Sequence, residues 1–119
     1  MALSRLAQQF ADEIRNHDWS DAPYRVDRAG HRHDDDRNPG KQLDAVETDR
    51  IRTNVMWVTA QVLGYNDPNF DVNEFAGQCG VEIRTRSGRI NGGIWAGIRS
   101  TNGKYDPPGR EPELMAPKS

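Results

Sequence analysis

Residues 51–63 read IRTNVMWVTAQVL and carry the most regular hydrophobic pattern in the chain. The pattern is helical, because its apolar side chains recur every three or four residues. At 100° per residue, four of them fall within about 60° of one another. They are Ile51, Val55, Val58 and Val62, and the arc is widened by Met56, Ala60 and Leu63. The sequence therefore predicts a central helix that contacts neighbours on two sides.

The ends of this helix are predicted from capping signals. Asp44 followed three residues later by Glu47 has the form of a capping box, with a carboxylate as the capping group. Gly64 is expected to end the helix in a left-handed conformation, and Asp67-Pro68 prevents its continuation. A helix is thus predicted over about residues 44–63.

An amphipathic helix is predicted before it, over about residues 2–17. Its apolar side chains are spaced by four, three and four residues, which places them on one stripe of a helix. They are Leu3, Ala7, Phe10 and Ile14. We expect this stripe to pack against the core.

A third helix is predicted over about residues 71–79. Asp71 can cap its first turn, while Phe70 and Phe75 occupy the two positions of a hydrophobic staple. Gly80 supplies the stop signal after the last turn.

A β-hairpin is expected after the helices. Residues 81–86 alternate between apolar and polar or charged side chains, which is the period of a half-buried strand, and residues 94–99 offer the partner strand. Ser87-Gly88 and Asn91-Gly92 are both acceptable turns, and the sequence leaves the choice open. The predicted class is α+β, with three helices followed by this C-terminal hairpin. Because a short two-stranded sheet is marginal alone, its exposed edge could pair with a second copy of the chain.

The other segments lack a hydrophobic period. Residues 18–43 form a long loop, which either carries function or is pinned to the core by its apolar side chains. These are Trp19, Tyr24 and Val26. Residues 101–119 contain four prolines and are expected to form an extended or disordered tail after a single domain of about residues 1–100.

Composition narrows the classes of function. The 119 residues include 16 basic and 18 acidic ones, and the net charge of -2 excludes a globally basic nucleic-acid coat. Cys79 is the only cysteine, so an intrachain disulfide and a cysteine zinc cluster are both excluded, and a buried, inert thiol is expected. With no long apolar run and no secretion signal, a cytoplasmic protein without a membrane partner is predicted. No cofactor is predicted.

A metal hypothesis arises from the loop. Residues 31–36 read HRHDDD, and a divalent ion could be held by His31, His33 and Asp36. The alternative is a solvated polar loop, because adjacent loop residues rarely converge on one ion without ligands from a rigid element. A calcium loop starting at Asp34 is disfavoured, since Pro39 stands where a glycine is needed.

Basic residues are concentrated near the C-terminus. Residues 43–80 carry a net charge of -4, and residues 81–119 one of +3. A nucleic-acid-binding patch is one interpretation, with Trp95 as a stacking group. Its residues are Arg84, Arg86, Arg89 and Arg99. The other interpretation is that these arginines solvate the exposed face of the hairpin and pair with the acidic helices.

A partner-binding hypothesis concerns the polar side of the central helix. Trp57 lies there between Arg50 and Gln61, at helical spacing. An exposed tryptophan is costly to leave in water, so either the chain covers it, through Trp19, Tyr24 or the tail, or it anchors a partner.

Four segments resemble small uncharacterised proteins encoded by actinobacterial phages. They are residues 21–31 (DAPYRVDRAGH), 52–56 (RTNVM), 66–71 (NDPNFD) and Cys79-Gly80. The resemblance covers roughly residues 19–83. It implies a non-catalytic accessory protein that binds a host or phage macromolecule in the host cytoplasm. Trp57, Arg50 and Gln61 are the expected contact residues. Nucleic-acid binding by the basic hairpin and metal-dependent activity at the His/Asp loop are the alternatives.

Overall fold

Four helices and one short antiparallel hairpin form the described part of the chain, which is residues 3–24, 26, 29 and 41–109 of a computed structural model. The elements in chain order are α1 (Arg5–Asn16), α2 (Ala45–Asn66), α3 (Val72–Gln78), α4 (Gly93–Ala96), β1 (Ser100–Thr101) and β2 (Lys104–Tyr105). The class is therefore mixed α+β, as predicted. The predicted count of three helices is wrong, because α4 adds a fourth in this part of the chain.

The start of α2 agrees with the capping prediction and its end does not. The Asp44 side chain accepts a hydrogen bond from the Glu47 backbone N–H (2.8 Å), and the Glu47 side chain accepts one from the Asp44 N–H (3.0 Å). Gly64 does not end the helix. It is buried within the last turns, and the helix continues to Asn66. Asp67 follows in the extended conformation that the next residue, Pro68, favours, and this ends the helix.

Helix α1 begins after Ser4, whose Oγ accepts a hydrogen bond from the Ala7 N–H (3.1 Å). Its buried side chains are Ala7, Ala11 and Ile14. Phe10, which was expected on the buried stripe, is 43% exposed. The small side chains of the two alanines therefore face the core, and the larger phenylalanine lies at the margin.

The local signals around α3 are confirmed. Asp71 caps the helix by accepting hydrogen bonds from the N–H groups of Asn73 (2.9 Å) and Glu74 (3.3 Å). The rings of Phe70 and Phe75 pack with centroids 5.3 Å apart, as a hydrophobic staple requires. Gly80 has a φ of 88°, the left-handed conformation that ends a helix.

The core forms where α1, α2 and α3 pack against one another, and α4 adds to it. Its buried side chains are Ala7, Ala11, Ile14, Met56, Ala60, Val72, Phe75, Ala76, Cys79, Val81, Ile94 and Ile98. Many are small, so the helices lie close together. The buried state predicted for Cys79 is confirmed.

The predicted strand over 94–99 is wrong. Gly93–Ala96 is a helical turn, and both Ile94 and Ile98 are buried. A spacing of four residues places both side chains on one face of a helical turn and equally on one face of a strand. The spacing therefore could not distinguish the two structures.

The predicted strand over 81–86 is reduced to a single bridge between Arg84 and Ile90. Residues 83–91 fold back through Ser87-Gly88, one of the two turns left open by the sequence. The Gly88 N–H donates to the Thr85 carbonyl (2.9 Å), and Gly88 has a φ of 85°. We refer to residues 83–91 as the arginine loop.

The observed hairpin lies in the segment expected to be a tail. Ser100 pairs with Tyr105 and Thr101 with Lys104, across a turn in which Asn102 (φ 53°) and Gly103 (φ 78°) are both left-handed. This is the type I′ geometry that Asn-Gly favours. Each strand has only two residues, which leaves a short edge for pairing with a second copy. Residues 110–119 of the predicted tail lie outside the described residues.

The described ends of residues 18–43, the segment predicted to be a long loop, are joined by a backbone hydrogen bond between Leu43 and Ser20, and Trp19 is bonded to α1. The Trp19 indole N–H donates to the Ile14 carbonyl (2.9 Å), and the Leu43 N–H donates to the Ser20 carbonyl (2.6 Å). Trp19 packs against the core, as one of the two interpretations required. Tyr24 and Val26 are 44% and 97% exposed and do not pin the loop.

Candidate functional site

The side of α2 that faces away from the core carries exposed apolar residues. Val58 is 72% exposed, Val62 44% and Tyr65 48%. At 100° per residue, Val58 lies about 200° around the helix from the buried Met56. A helix that is apolar on opposite sides normally has partners on both. Among the described residues, this side of α2 remains uncovered at Val58 and Val62, which we call the valine pair.

Trp57 is held by its own chain. Its indole N–H donates to the Ile94 carbonyl (2.9 Å), and Gly97 approaches the ring so closely that a Cβ at position 97 would overlap it. The side chain is half-buried and packs against the core. The expectation of an exposed tryptophan edge is therefore wrong, because α4 covers it. The alternative named Trp19, Tyr24 or the tail as the cover, whereas the observed contacts come from Ile94 in α4 and from Gly97 after it, and they leave the ring half-buried.

Gln61 has a structural role. It is 7% exposed, and its side-chain oxygen accepts a hydrogen bond from the Arg99 N–H (2.9 Å). Its side-chain nitrogen donates to the carbonyls of Arg99 (3.0 Å) and Asp106 (3.1 Å). Because Arg99 and Asp106 flank the hairpin, this amide fastens both of its ends to α2. Gln61 is therefore not available to contact a partner, and of the three predicted contact residues only Arg50 is exposed.

A groove lies between α2 and the segment that follows α4, with a volume of about 240 Å³. Its lining residues are Trp57, Val58, Gln61, Val62, Gly97, Arg99, Pro108 and Gly109. The valine pair forms the exposed wall of the groove on α2. Arg99 is the only charged residue among the described residues that line the groove. The groove therefore combines apolar surface with one positive charge.

Tyr105 packs where the hairpin meets α2. Its ring packs directly on Gly64, so closely that a Cβ at position 64 would overlap it. The ring also makes edge-on contacts with Trp95 and Phe70, at centroid distances of 5.3 Å and 6.1 Å. Burial, together with the negative charge of Asp71, raises the pKa of the Tyr105 phenol to about 12. The phenol therefore stays protonated at neutral pH. A hollow of about 490 Å³ adjoins this ring.

Three of the four predicted nucleic-acid-binding arginines lie together. Arg84, Arg86 and Arg89 are exposed on the arginine loop. The Arg84 guanidinium donates to the Gly88 carbonyl (2.8 Å) and so braces the turn. Arg99 has different surroundings, since it is half-buried after α4 and lines the groove.

Cys79 and the predicted metal ligands are the remaining candidate groups. Burial raises the pKa of the Cys79 thiol to about 12, against the opposing effect of the Arg52 charge, so the thiol is protonated and a poor nucleophile. His31, His33 and Asp36 lie outside the described residues. In the part of the chain that is described, no three His, Cys, Asp or Glu side chains are grouped as metal ligands would be. Nor does any helix there have the length and apolar character needed to cross a membrane.

Comparison with known proteins gives no further assignment. No protein-family model, no curated protein and no solved structure matches this chain.

Proposed function

We propose that this chain is a non-catalytic accessory protein that acts by binding another protein of host or phage origin through the exposed side of α2. The observation that carries the proposal is the valine pair, 72% and 44% exposed on a helix whose opposite side forms the core. An apolar patch beside a groove is typical of a protein-binding surface. Arg50 can contribute at its rim, since it is exposed on the same helix.

The test compares two aspartate substitutions on α2. Val58→Asp places a charge on the proposed surface, and Val46→Asp places one on an equally accessible valine (61% exposed) about 120° around the same helix. Tagged wild-type and variant chains are used to capture proteins from an actinobacterial lysate, after circular dichroism has shown equal helix content. We expect one or more proteins to be recovered with the wild type and with Val46→Asp and to be lost with Val58→Asp. Equal recovery with all three chains would contradict the proposal.

Trp57→Ala is unsuitable for this test. The substitution removes the hydrogen bond to Ile94 and leaves a cavity beside Gly97, so it disturbs the fold together with the surface.

The arginine loop supports a second candidate function, binding of nucleic acid. Three exposed arginines within nine residues can contact successive phosphates, and each contact adds to the salt dependence of binding. Within the described residues, no carboxylate forms an ion pair with Arg86 or Arg89. These two are therefore better candidates for phosphate contacts than Arg84, which braces its own turn.

A gel shift at low salt tests this candidate. We expect retardation of DNA or RNA by the wild type, a weaker shift with Arg86→Ala/Arg89→Ala, and an unchanged shift with Arg5→Ala/Arg50→Ala, which removes the same charge elsewhere. If both double variants behave alike, the arginine loop is not the binding site.

A further inference from the structure

Trp95 differs from the other two tryptophans in its surroundings. The indole N–H groups of Trp19 and Trp57 each donate to a backbone carbonyl at 2.9 Å, which fixes both rings to the fold. Trp95 makes no such bond with any described residue, and it is 36% exposed. The Tyr105 ring meets it edge-on, at a centroid distance of 5.3 Å and an interplanar angle of 90°. Trp95 is therefore held in place and still presents ring surface to a ligand.

The part of the chain around Trp95 is positively charged. Residues 81–109 contain five basic and two acidic residues, whereas residues 43–80 contain two basic and six acidic ones. Arg86 and Arg89, exposed on the arginine loop, precede Trp95 by nine and six residues. An extended chain spans about 3.3 Å per residue, so the Cα atoms of Arg89 and Trp95 are at most about 20 Å apart. Cations and an exposed aromatic ring thus lie within reach of one short polyanionic ligand.

The Tyr105 ring also connects Trp95 to the hollow, which it lines. Tyr65 lines the same hollow and is 48% exposed, so it provides a second aromatic surface. Asp67 and Lys104 line it as well, and their opposite charges balance there. The volume of about 490 Å³ is typical of a small-ligand site. The hollow therefore offers space for a planar group, while the positive charge for a polyanion comes from the arginine loop.

These features suit a single-stranded nucleic acid better than a duplex. Sites for single strands combine positive charge along the phosphates with aromatic side chains on which unpaired bases stack. In a duplex the bases stack on one another, so a protein contacts the phosphates, the sugars and the base edges in the grooves. A duplex can therefore use the arginine loop but not the ring of Trp95.

We propose that the arginine loop and Trp95 form a binding site for single-stranded nucleic acid. Arg86 and Arg89 contact phosphates, an unpaired base stacks on Trp95, and a neighbouring base enters the hollow at Tyr65. This inference rests on the second candidate function and deepens it by naming the form of nucleic acid and the stacking residues.

The experiment measures binding to two fluorescent oligonucleotides by anisotropy. One is a single-stranded oligothymidylate of about twelve nucleotides, within the range that such sites cover, and the other is a duplex of equal length. Trp95→Leu keeps an apolar side chain against Tyr105 and removes the stacking ring, whereas Trp95→Phe keeps a ring. After circular dichroism has shown equal helix content, we expect Trp95→Leu to bind the single strand about 5- to 150-fold more weakly and the duplex as before. Trp95→Phe should bind the single strand more tightly than Trp95→Leu.

Controls separate stacking from charge. Phe10→Ala removes an aromatic side chain that is 43% exposed on α1, outside the proposed site, and should change neither affinity. Arg86→Ala/Arg89→Ala should weaken binding to both oligonucleotides and reduce its salt dependence, because both carry phosphates. The unlabelled single strand should quench the tryptophan fluorescence of the wild type more than that of Trp95→Phe, since a stacked base quenches the indole that it contacts.

Two results would overturn the inference and leave the second candidate function in place. One is equal affinity of the wild type and Trp95→Leu for the single strand. The other is an equal loss of affinity for both oligonucleotides in Trp95→Leu, because a stacking ring acts on unpaired bases alone. If the wild type binds neither oligonucleotide, the inference and the second candidate function are both wrong. The comparison of Val58→Asp with Val46→Asp is independent of all these results.

Discussion

At the scale of single residues, replacement by alanine is expected to have opposite effects on stability at two helical glycines, Gly64 and Gly77. Replacing a helix-interior glycine by alanine normally stabilises a protein by about 1 kcal/mol. At Gly64 the added Cβ would overlap the Tyr105 ring. We therefore expect Gly64→Ala to lower the free energy of unfolding by about 1–3 kcal/mol, as overpacking does.

Gly77→Ala is the matched control. The nearest atom to a Cβ at position 77 is Ile83 Cδ1 at 3.5 Å, an ordinary contact. We expect this variant to be up to about 1 kcal/mol more stable than the wild type. Urea unfolding measures the change in the free energy of unfolding for both variants. If Gly64→Ala also stabilises the protein, the packing of Tyr105 on α2 is contradicted.

Residues also show what the sequence could and could not predict about the candidate site. Gln61 and Trp57 share a polar side of α2, and spacing along one helix indicates no more than that. Their partners, the Arg99 backbone and the Ile94 carbonyl, are 38 and 37 residues away. Because such partners have no local signature, the pattern predicted two exposed contact residues, whereas the structure shows Gln61 buried and Trp57 half-buried. For the same reason the pattern placed Val58 and Val62 within the apolar arc of α2, since it does not show which part of that arc a neighbour covers.

At the scale of elements, Gln61 joins α2 to the hairpin. Gln61→Ala would leave the Arg99 N–H and the Asp106 carbonyl without these partners in a partly buried setting. Each unsatisfied buried group costs about 1–3 kcal/mol, so the two together should lower the free energy of unfolding by about 2–6 kcal/mol. Amide exchange at Asp106, whose N–H donates to Arg99, should accelerate more than exchange within α1.

Gln9→Ala on α1 is the control, because Gln9 is exposed. Its effect on the free energy of unfolding, measured by urea unfolding, should stay within about 0.5 kcal/mol. A Gln61→Ala variant as stable as Gln9→Ala would show that the amide does not hold the hairpin.

Elements were predictable where their signals are local. The caps at Asp44 and Asp71 and the stop at Gly80 depend on neighbours within a few residues, and all three are observed. The observed hairpin also had a local signal, Asn102-Gly103, the dipeptide most typical of a type I′ turn. It was missed because few apolar residues surround it and the prolines after it indicated a tail.

At the scale of the whole molecule, α2 is central and unevenly covered. Helices α1 and α3 and the hairpin pack against it, and α4 packs against α3 and reaches α2 through Trp57. The side bearing the valine pair is left uncovered by the described residues. The width of the apolar arc predicted that α2 has more than one neighbour. It could not predict which part of the arc each neighbour covers, because that depends on the connections between elements.

The same packing makes the stability of the whole molecule sensitive to alkaline pH. Burial raises the pKa of Cys79 from 9.0 to about 12 and, with the Asp71 charge, that of Tyr105 from 10.0 to about 12. Between about pH 9 and about pH 12 the unfolded chain therefore binds fewer protons than the folded one. Below about pH 9 these two groups do not lower the free energy of unfolding, and above it the free energy of unfolding falls as the pH rises through this window.

Urea unfolding at a series of alkaline pH values measures how steeply the free energy of unfolding falls with pH. Two tyrosine variants show how much of this slope is due to Tyr105. Tyr105→Phe keeps the ring on Gly64 and removes the titrating phenol, so its stability should fall less steeply with pH than that of the wild type. Tyr65→Phe makes the same change at a tyrosine that is 48% exposed and should keep the wild-type slope. If all three proteins share one slope, the phenol of Tyr105 does not lose its proton on unfolding in this range, and the ring is not buried between the hairpin and α2 in solution. A shallower slope in Tyr105→Phe alone would show that ionisation of this phenol destabilises the folded chain, as its burial between the hairpin and α2 requires.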